Sequence, residues 1–139
     1  MFVNRRKVRI EWGDCDAAGI VFYPRYFAYF DAATQGYFEA AGFPLHVTRK
    51  LFDMVGYPMV DTRAKFILPS SFGEDIEIVT TAVAIRNSSF DVEHKVYKDG
   101  LLAIEGFETR VWVGNHPDRP DAIKAKSIPA EVIERLSRS

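Results

Sequence analysis

The segment 26–41 carries apolar side chains at helical spacing: Tyr26, Phe30, Ala33, Tyr37 and Ala41. Phe27 and Phe38 widen that stripe until most of the circumference is apolar, and Asp31, Gln35 and Glu39 leave one narrow polar line. A helix of this kind is stable only when a large surface covers it, so the rest of the chain has to enclose it. Pro24, favoured in a first turn and excluded from an interior, sets the start near that residue. Gly42 closes the segment as a C-terminal cap, with Pro44 just beyond.

Five strand-like stretches are available for the enclosure. In 7–12, Val8, Ile10 and Trp12 alternate with Arg9 and Glu11, which predicts a half-buried strand. In 60–68, Val60, Thr62, Ala64, Phe66 and Leu68 share one face, and Asp61, Arg63 and Lys65 share the other. The stretches 75–86, 90–98 and 101–113 are rich in β-branched and aromatic residues, and Asp99-Gly100 between the last two is a two-residue hairpin signal. Residues 69–74 and 87–89 read as turns, 43–57 as a loop with room for one short helix, and 129–136 as a short helix. A strand, a buried helix and four strands in meander predict one α+β domain over 1–139, an antiparallel five-stranded sheet wrapped around a long central helix.

Composition narrows the function. A chain of 139 residues can bury one proper core, and 18 basic against 19 acidic side chains leave a net charge of −1, without the basic excess of a nucleic-acid partner. Cys15 is the only cysteine, so no intramolecular disulfide is possible and a reducing compartment fits. The basic residues near Met1 are not followed by the apolar run of a secretory signal, and no stretch has the length of a membrane span. The expectation is a soluble, cytoplasmic protein with neither a membrane nor a nucleic-acid partner.

Several kinds of chemistry are missing. There is no glycine-rich phosphate loop and no Gly-x-Ser-x-Gly elbow. His46, His94 and His116 lack ligand spacing, so no metal site is expected. Cys15 has no positive neighbour to activate it and reads as a small buried residue. What stands out is Asp14-Cys15-Asp16-Ala17-Ala18-Gly19-Ile20-Val21-Phe22-Tyr23-Pro24, two carboxylates in a loop that leads straight into the aromatic helix. Amides at a helix start are unpaired donors at the positive end of its dipole. With an apolar pocket they suffice for acyl transfer: they hold the carbonyl oxygen while a carboxylate attacks or activates water. The same Asp and Gly residues also build ordinary turns. Asp31, set among Phe and Tyr, needs a partner, whether Arg25, Tyr26, water or a ligand.

The run from Glu11 to Tyr26 resembles the active-site segment of the hotdog-fold acyl-CoA thioesterases, most nearly the 4-hydroxybenzoyl-CoA thioesterases among them. The likeness continues through Phe30-Asp31-Ala32-Ala33, Tyr37-Phe38 and Gly42-Phe43-Pro44, and returns weakly at Gly56-Tyr57-Pro58 and Ser89-Phe90. It implies a hotdog fold and hydrolysis of an acyl-CoA, with an aromatic, hydroxybenzoyl-like acyl group expected. An aliphatic short- or medium-chain ester, or acyl-CoA binding without catalysis, stand as alternatives. Asp16 then corresponds to the catalytic nucleophile or general base, and Tyr23 to the residue whose backbone N–H binds the thioester oxygen. Asp31 matches an acidic residue that accepts a hydrogen bond from the ring hydroxyl, and His46 stands where the hydroxybenzoyl enzymes line the pocket with tryptophan. Arg86-Asn87-Ser88 replaces a basic run that grips the coenzyme A phosphates, a task in which Arg63, Lys65 or Lys95 could assist, and Ala17 replaces a proline. Coenzyme A belongs to the substrate, so no cofactor is implied, and the resemblance implies a homodimer or homotetramer.

Overall fold

A computed structural model describes residues 1–139. The elements are β1 (Val3–Arg9), a 3-10 turn (Trp12–Asp14), α1 (Pro24–Ala40), α2 (Leu45–Leu51), β2 (Met59–Phe66), β3 (Asp75–Ile85), β4 (Ser89–Lys98), β5 (Leu101–Val111), β6 (Val113–Asn115), β7 (Ile123–Ala125) and α3 (Ala130–Ser137). Five strands form one antiparallel sheet in the order β1-β3-β4-β5-β2, and α1 lies in its concave face. This is the hotdog arrangement. No helix is long and apolar enough to cross a membrane.

The helix ends follow local chemistry. Pro24 occupies the first turn of α1. At the other end Gly42 takes φ +100, while its N–H bonds the Glu39 carbonyl and the Phe43 N–H bonds that of Phe38. This paired closure uses carbonyls the helix would leave unmatched, and it requires the left-handed conformation that glycine adopts without strain. The β4–β5 hairpin turns at Asp99 and Gly100, both at positive φ, as the Asp-Gly pair predicts.

Period-two alternation builds the inner face. Ile76, Ile78, Thr80 and Ala82 of β3, and Phe90, Val92, His94 and Val96 of β4, are buried beneath α1. The helix sits so low over β5 that a Cβ on Gly106 would lie 2.7 Å from the Phe30 ring. Two apolar clusters result. One joins Tyr26 and Phe30 to Ile10, Ile78, Val96 and Ile104. The other joins Tyr37 and Phe38 to Phe90, Trp112 and, from α3, Leu136. Buried Thr34, Thr80, His94, Glu108 and Arg110 belong to neither cluster.

Four details differ from the sequence reading. The first strand is Val3–Arg9, not 7–12: pairing with β3 begins at Val3, and after buried Ile10 the chain turns off so that Trp12 is 73% exposed beside Phe72. The meander holds only for β3 to β5. Because β1 and β4 occupy both edges of β3, β2 takes the free edge of β5. As an edge strand β2 meets α1 only toward its end, where Ala64 packs on the core and Phe66 on Tyr23 and Tyr26, so Val60 and Phe66 stay substantially exposed where an inward face is expected. Finally, the strand expected over 101–113 breaks at Trp112, after which β6 and β7 form a separate ribbon.

Candidate active site

The loop before α1 is a small hairpin. The Phe22 N–H bonds the Asp14 carbonyl at 2.8 Å, the Asp16 N–H bonds the Ile20 carbonyl at 2.9 Å, and Cys15 faces Val21 between them. Gly19, at φ +81, completes the reversal. The connection from β2 to β3 supports it from below: Ser70 accepts the Val21 N–H, and Ser71 bridges to Ile20.

The two aspartates have different environments. One Asp14 oxygen accepts the Tyr29 hydroxyl at 2.8 Å and the other lies 3.9 Å from Arg25, so this carboxylate ties the loop to the helix. Burial and then the hydrogen bond to Asp14 push the Tyr29 phenol well above its ordinary range, keeping it a donor. Asp16 stands exposed at the hairpin tip. Its Oδ1 accepts the Ala18 N–H at 2.8 Å, and its Oδ2 has no partner in the chain. Half-buried Cys15 makes only a long contact, 3.7 Å, from Sγ to the Glu11 carbonyl.

At the helix start, Arg25 and Tyr26 donate their N–H groups to the carbonyls of Phe22 and Tyr23, and Pro24 has none. The Tyr23 N–H makes no bond within the chain. It is a free donor at the positive end of the α1 dipole. Beside it lies an apolar cleft of about 250 Å³, walled by Ile20, Val21, Tyr23 and Tyr26 on one side and Phe66 and Leu68 on the other. Asp16 does not line this cleft itself; it projects from the hairpin that supplies Ile20 and Val21. Larger hollows of about 450 and 370 Å³ lie on the outer sheet face among charged strand residues, away from the loop.

The other expected site residues lie elsewhere. Asp31 follows Tyr23 by eight residues, about 12 Å along α1, and its Oδ1 accepts a hydrogen bond from the Arg110 Nη2 at 2.7 Å. His46 is exposed on α2, and its imidazole makes no hydrogen bond within the chain. Arg86, Asn87 and Ser88 form the β3–β4 turn near the far end of α1, where the turn is bound into the fold. Arg86 grips both oxygens of Asp91 at 2.6 and 3.1 Å and donates to Ser89. The Asn87 and Ser88 carbonyls accept the N–H groups of Ile128 and Trp112. The bond to Arg86 holds the Asp91 carboxyl below its usual range.

Sequence reading missed the partner of Asp31. Arg110 is almost fully buried and donates also to both oxygens of Glu108 and to the Tyr57 carbonyl. Burial pushes the Glu108 carboxyl up, but hydrogen bonds from His94 and Arg110 outweigh it and hold the group below its ordinary value. The signal was present: His94 shares the inward register of Val92 and Val96, and Glu108 and Arg110 share that of Gly106.

A sequence profile of the thioesterase-like superfamily matches residues 10–136. The chain is 36% identical over 135 residues to 4-hydroxybenzoyl-CoA thioesterase of Pseudomonas sp. (strain CBS-3), covering 93% of this chain and 94% of that one. The solved structure of that enzyme superposes with a TM-score of 0.88 at 34% identity, over 97% and 99% of the two chains. A 1,4-dihydroxy-2-naphthoyl-CoA hydrolase of Gloeothece citriformis (strain PCC 7424) is 31% identical over 143 residues, 99% of this chain and 93% of the relative. The structure of a gentisyl-coenzyme A thioesterase matches with a TM-score of 0.82 at 30% identity, over 97% of this chain and 100% of the other.

Proposed function

This chain belongs to the thioesterase-like superfamily and is an acyl-CoA thioesterase, and from that premise we propose that it hydrolyses a hydroxylated aryl-CoA to the free acid and coenzyme A. The observation that carries the reading is the hairpin at 14–22, which supplies a carboxylate with one free oxygen and one wall of the apolar cleft, a cleft also lined by Tyr23, whose backbone N–H is unpaired.

The aryl ring occupies the cleft and the thioester oxygen accepts the Tyr23 N–H, which stabilises the negative charge developing there. Asp16 then acts in one of two ways. As nucleophile it attacks the acyl carbon, the carbon–sulfur bond breaks, coenzyme A leaves as its thiolate, and water cleaves the resulting mixed anhydride at the Asp16 carbonyl to free the acid and the carboxylate. As general base it takes a proton from a water that attacks the acyl carbon directly, with the same thiolate leaving. In a single turnover in heavy-oxygen water, label appearing in the Asp16 carboxylate marks the covalent route. Asp31 accepts the acyl hydroxyl and His46 lines the acyl end of the pocket. The turn at Arg86, Asn87 and Ser88 takes the coenzyme A phosphates, Arg86 exchanging Asp91 for phosphate.

The site is completed by a second copy. The axial separation of Tyr23 and Asp31 exceeds the span of one benzoyl ring, so a ring held at the helix start is out of reach of Asp31 of the same chain, which supports a contribution from a second copy. The exposed edge of β2 supports such pairing, since its outer hydrogen-bonding groups are unmatched and Met59, Val60 and Phe66 are exposed along it. Thiol release over a panel of hydroxybenzoyl-, dihydroxynaphthoyl-, benzoyl- and hexanoyl-CoA tests the substrate class. The expected order of kcat/KM places the hydroxyaryl esters first; hexanoyl-CoA turned over as well as they are would overturn it.

A further inference from the structure

Residues at the centre of the molecule form a continuous polar chain that reaches the surface at one point. Thr80 Oγ1 lies 2.8 Å from His94 Nδ1, and His94 Nε2 lies 3.4 Å from Glu108 Oε1. Thr34 donates to that same oxygen at 2.6 Å. Arg110 donates from Nε to Oε1 at 3.0 Å and from Nη2 to Oε2 at 3.2 Å, while Nη1 bonds the Tyr57 carbonyl at 3.1 Å. Nη2 also bonds Asp31 Oδ1 at 2.7 Å. Of the charged ends, the Arg110 side chain is 5% exposed and that of Asp31 57%.

We propose that Arg110 is a positioning residue for acyl-group recognition: locked by Glu108 and the Tyr57 carbonyl, its guanidinium pins one oxygen of Asp31 and leaves the other unbonded to receive a hydroxyl of the acyl group. The proposal rests on the reading of Asp31 as the hydroxyl acceptor. A buried ion pair gains little stability over apolar side chains of similar volume, so its retention beneath an exposed carboxylate points to a task. An ordinary surface pair is loose because a long cationic side chain must be ordered to form it. Here burial has already ordered the cation, and only the short Asp31 side chain remains to be fixed. The planar fork is essential: it addresses two carboxylates and a carbonyl at once, which the single ammonium of lysine cannot do. A preorganised acceptor discriminates sharply, because an acyl group lacking the hydroxyl leaves it unmatched.

The test compares KM and kcat for 4-hydroxybenzoyl-CoA and benzoyl-CoA in the wild type, Arg110→Lys, Glu108→Gln, Asp31→Asn and the Asp31→Asn/Arg110→Lys double variant. Arg110→Lys is expected to erode the KM preference for the hydroxylated ester by about tenfold, and to erode it no further once Asp31 is already Asn. Glu108→Gln, which keeps the guanidinium but loosens its hold, is expected to act in the same direction and carries the comparison if Arg110→Lys does not fold. A preference lost in Asp31→Asn but kept in Arg110→Lys and Glu108→Gln overturns this proposal alone. Equal losses on both esters overturn it as well. A preference that survives Asp31→Asn overturns the reading of Asp31 and this proposal with it.

Discussion

Asp14 and Asp16 sit two positions apart with the same side chain, and their surroundings divide the labour. Asp14 is used up by Tyr29 and Arg25, whereas Asp16 spends one oxygen on its own turn and keeps the other. Asp16→Asn preserves the acceptor for the Ala18 N–H, so the hairpin is expected to survive while kcat falls by about a hundredfold or more. A thermal melt beside the assay checks both halves, and full activity in Asp16→Asn would remove the carboxylate from the mechanism. Cys15→Ser is expected to retain activity. Asp14→Ala is expected to cost about 1 kcal/mol of stability through the orphaned Tyr29 hydroxyl, readable as a lower urea midpoint.

Elements hold these residues in place through close approaches and turns. Gly106 lets α1 sink onto β5, and Phe30 above it is fully buried and stacked on His94 at 4.8 Å. A methyl group there has nowhere to go, so Gly106→Ala is expected to destabilise the fold by about 1–3 kcal/mol. The check is a urea titration, and an unchanged midpoint would show that the ring can move aside. The β3–β4 turn has a pH dependence of defined sign. Since Asp91 titrates lower in the folded chain than in the unfolded one, the Arg86 pair adds stability above the unfolded value, about 3.9, and loses it as the pH falls through the folded value. Arg86 is half exposed, so the contribution is small, about 0–1 kcal/mol. Asp91→Asn should flatten the acid limb of a stability–pH curve without moving its neutral plateau by more than that.

For the molecule as a whole, the free β2 edge, the cleft at one end of α1 and Asp31 further along it lead to one expectation. Sedimentation at micromolar concentration should show at least a dimer. Val60→Glu, placing charge on the β2 edge, should dissociate it and lower activity together. An active monomer would contradict the shared site.

Much of this protein was legible in order along the chain. The buried helix, its caps, the Asp99-Gly100 hairpin and the loop bearing Asp16 and Tyr23 depend on near neighbours in sequence, and period and turn chemistry report such neighbours directly. Sequence did not place β2 against β5, nor did it show Arg86 bound to Asp91 or Asp31 bound to Arg110 across 79 positions. Strand order depends on which edge is already occupied, and a side chain's charge partner depends on which elements the fold brings together. Both are long-range outcomes of packing, and they decide that Asp31 and Asp91 are each held by an arginine far along the chain or across a turn, while the free oxygen of Asp16 follows from its own hairpin.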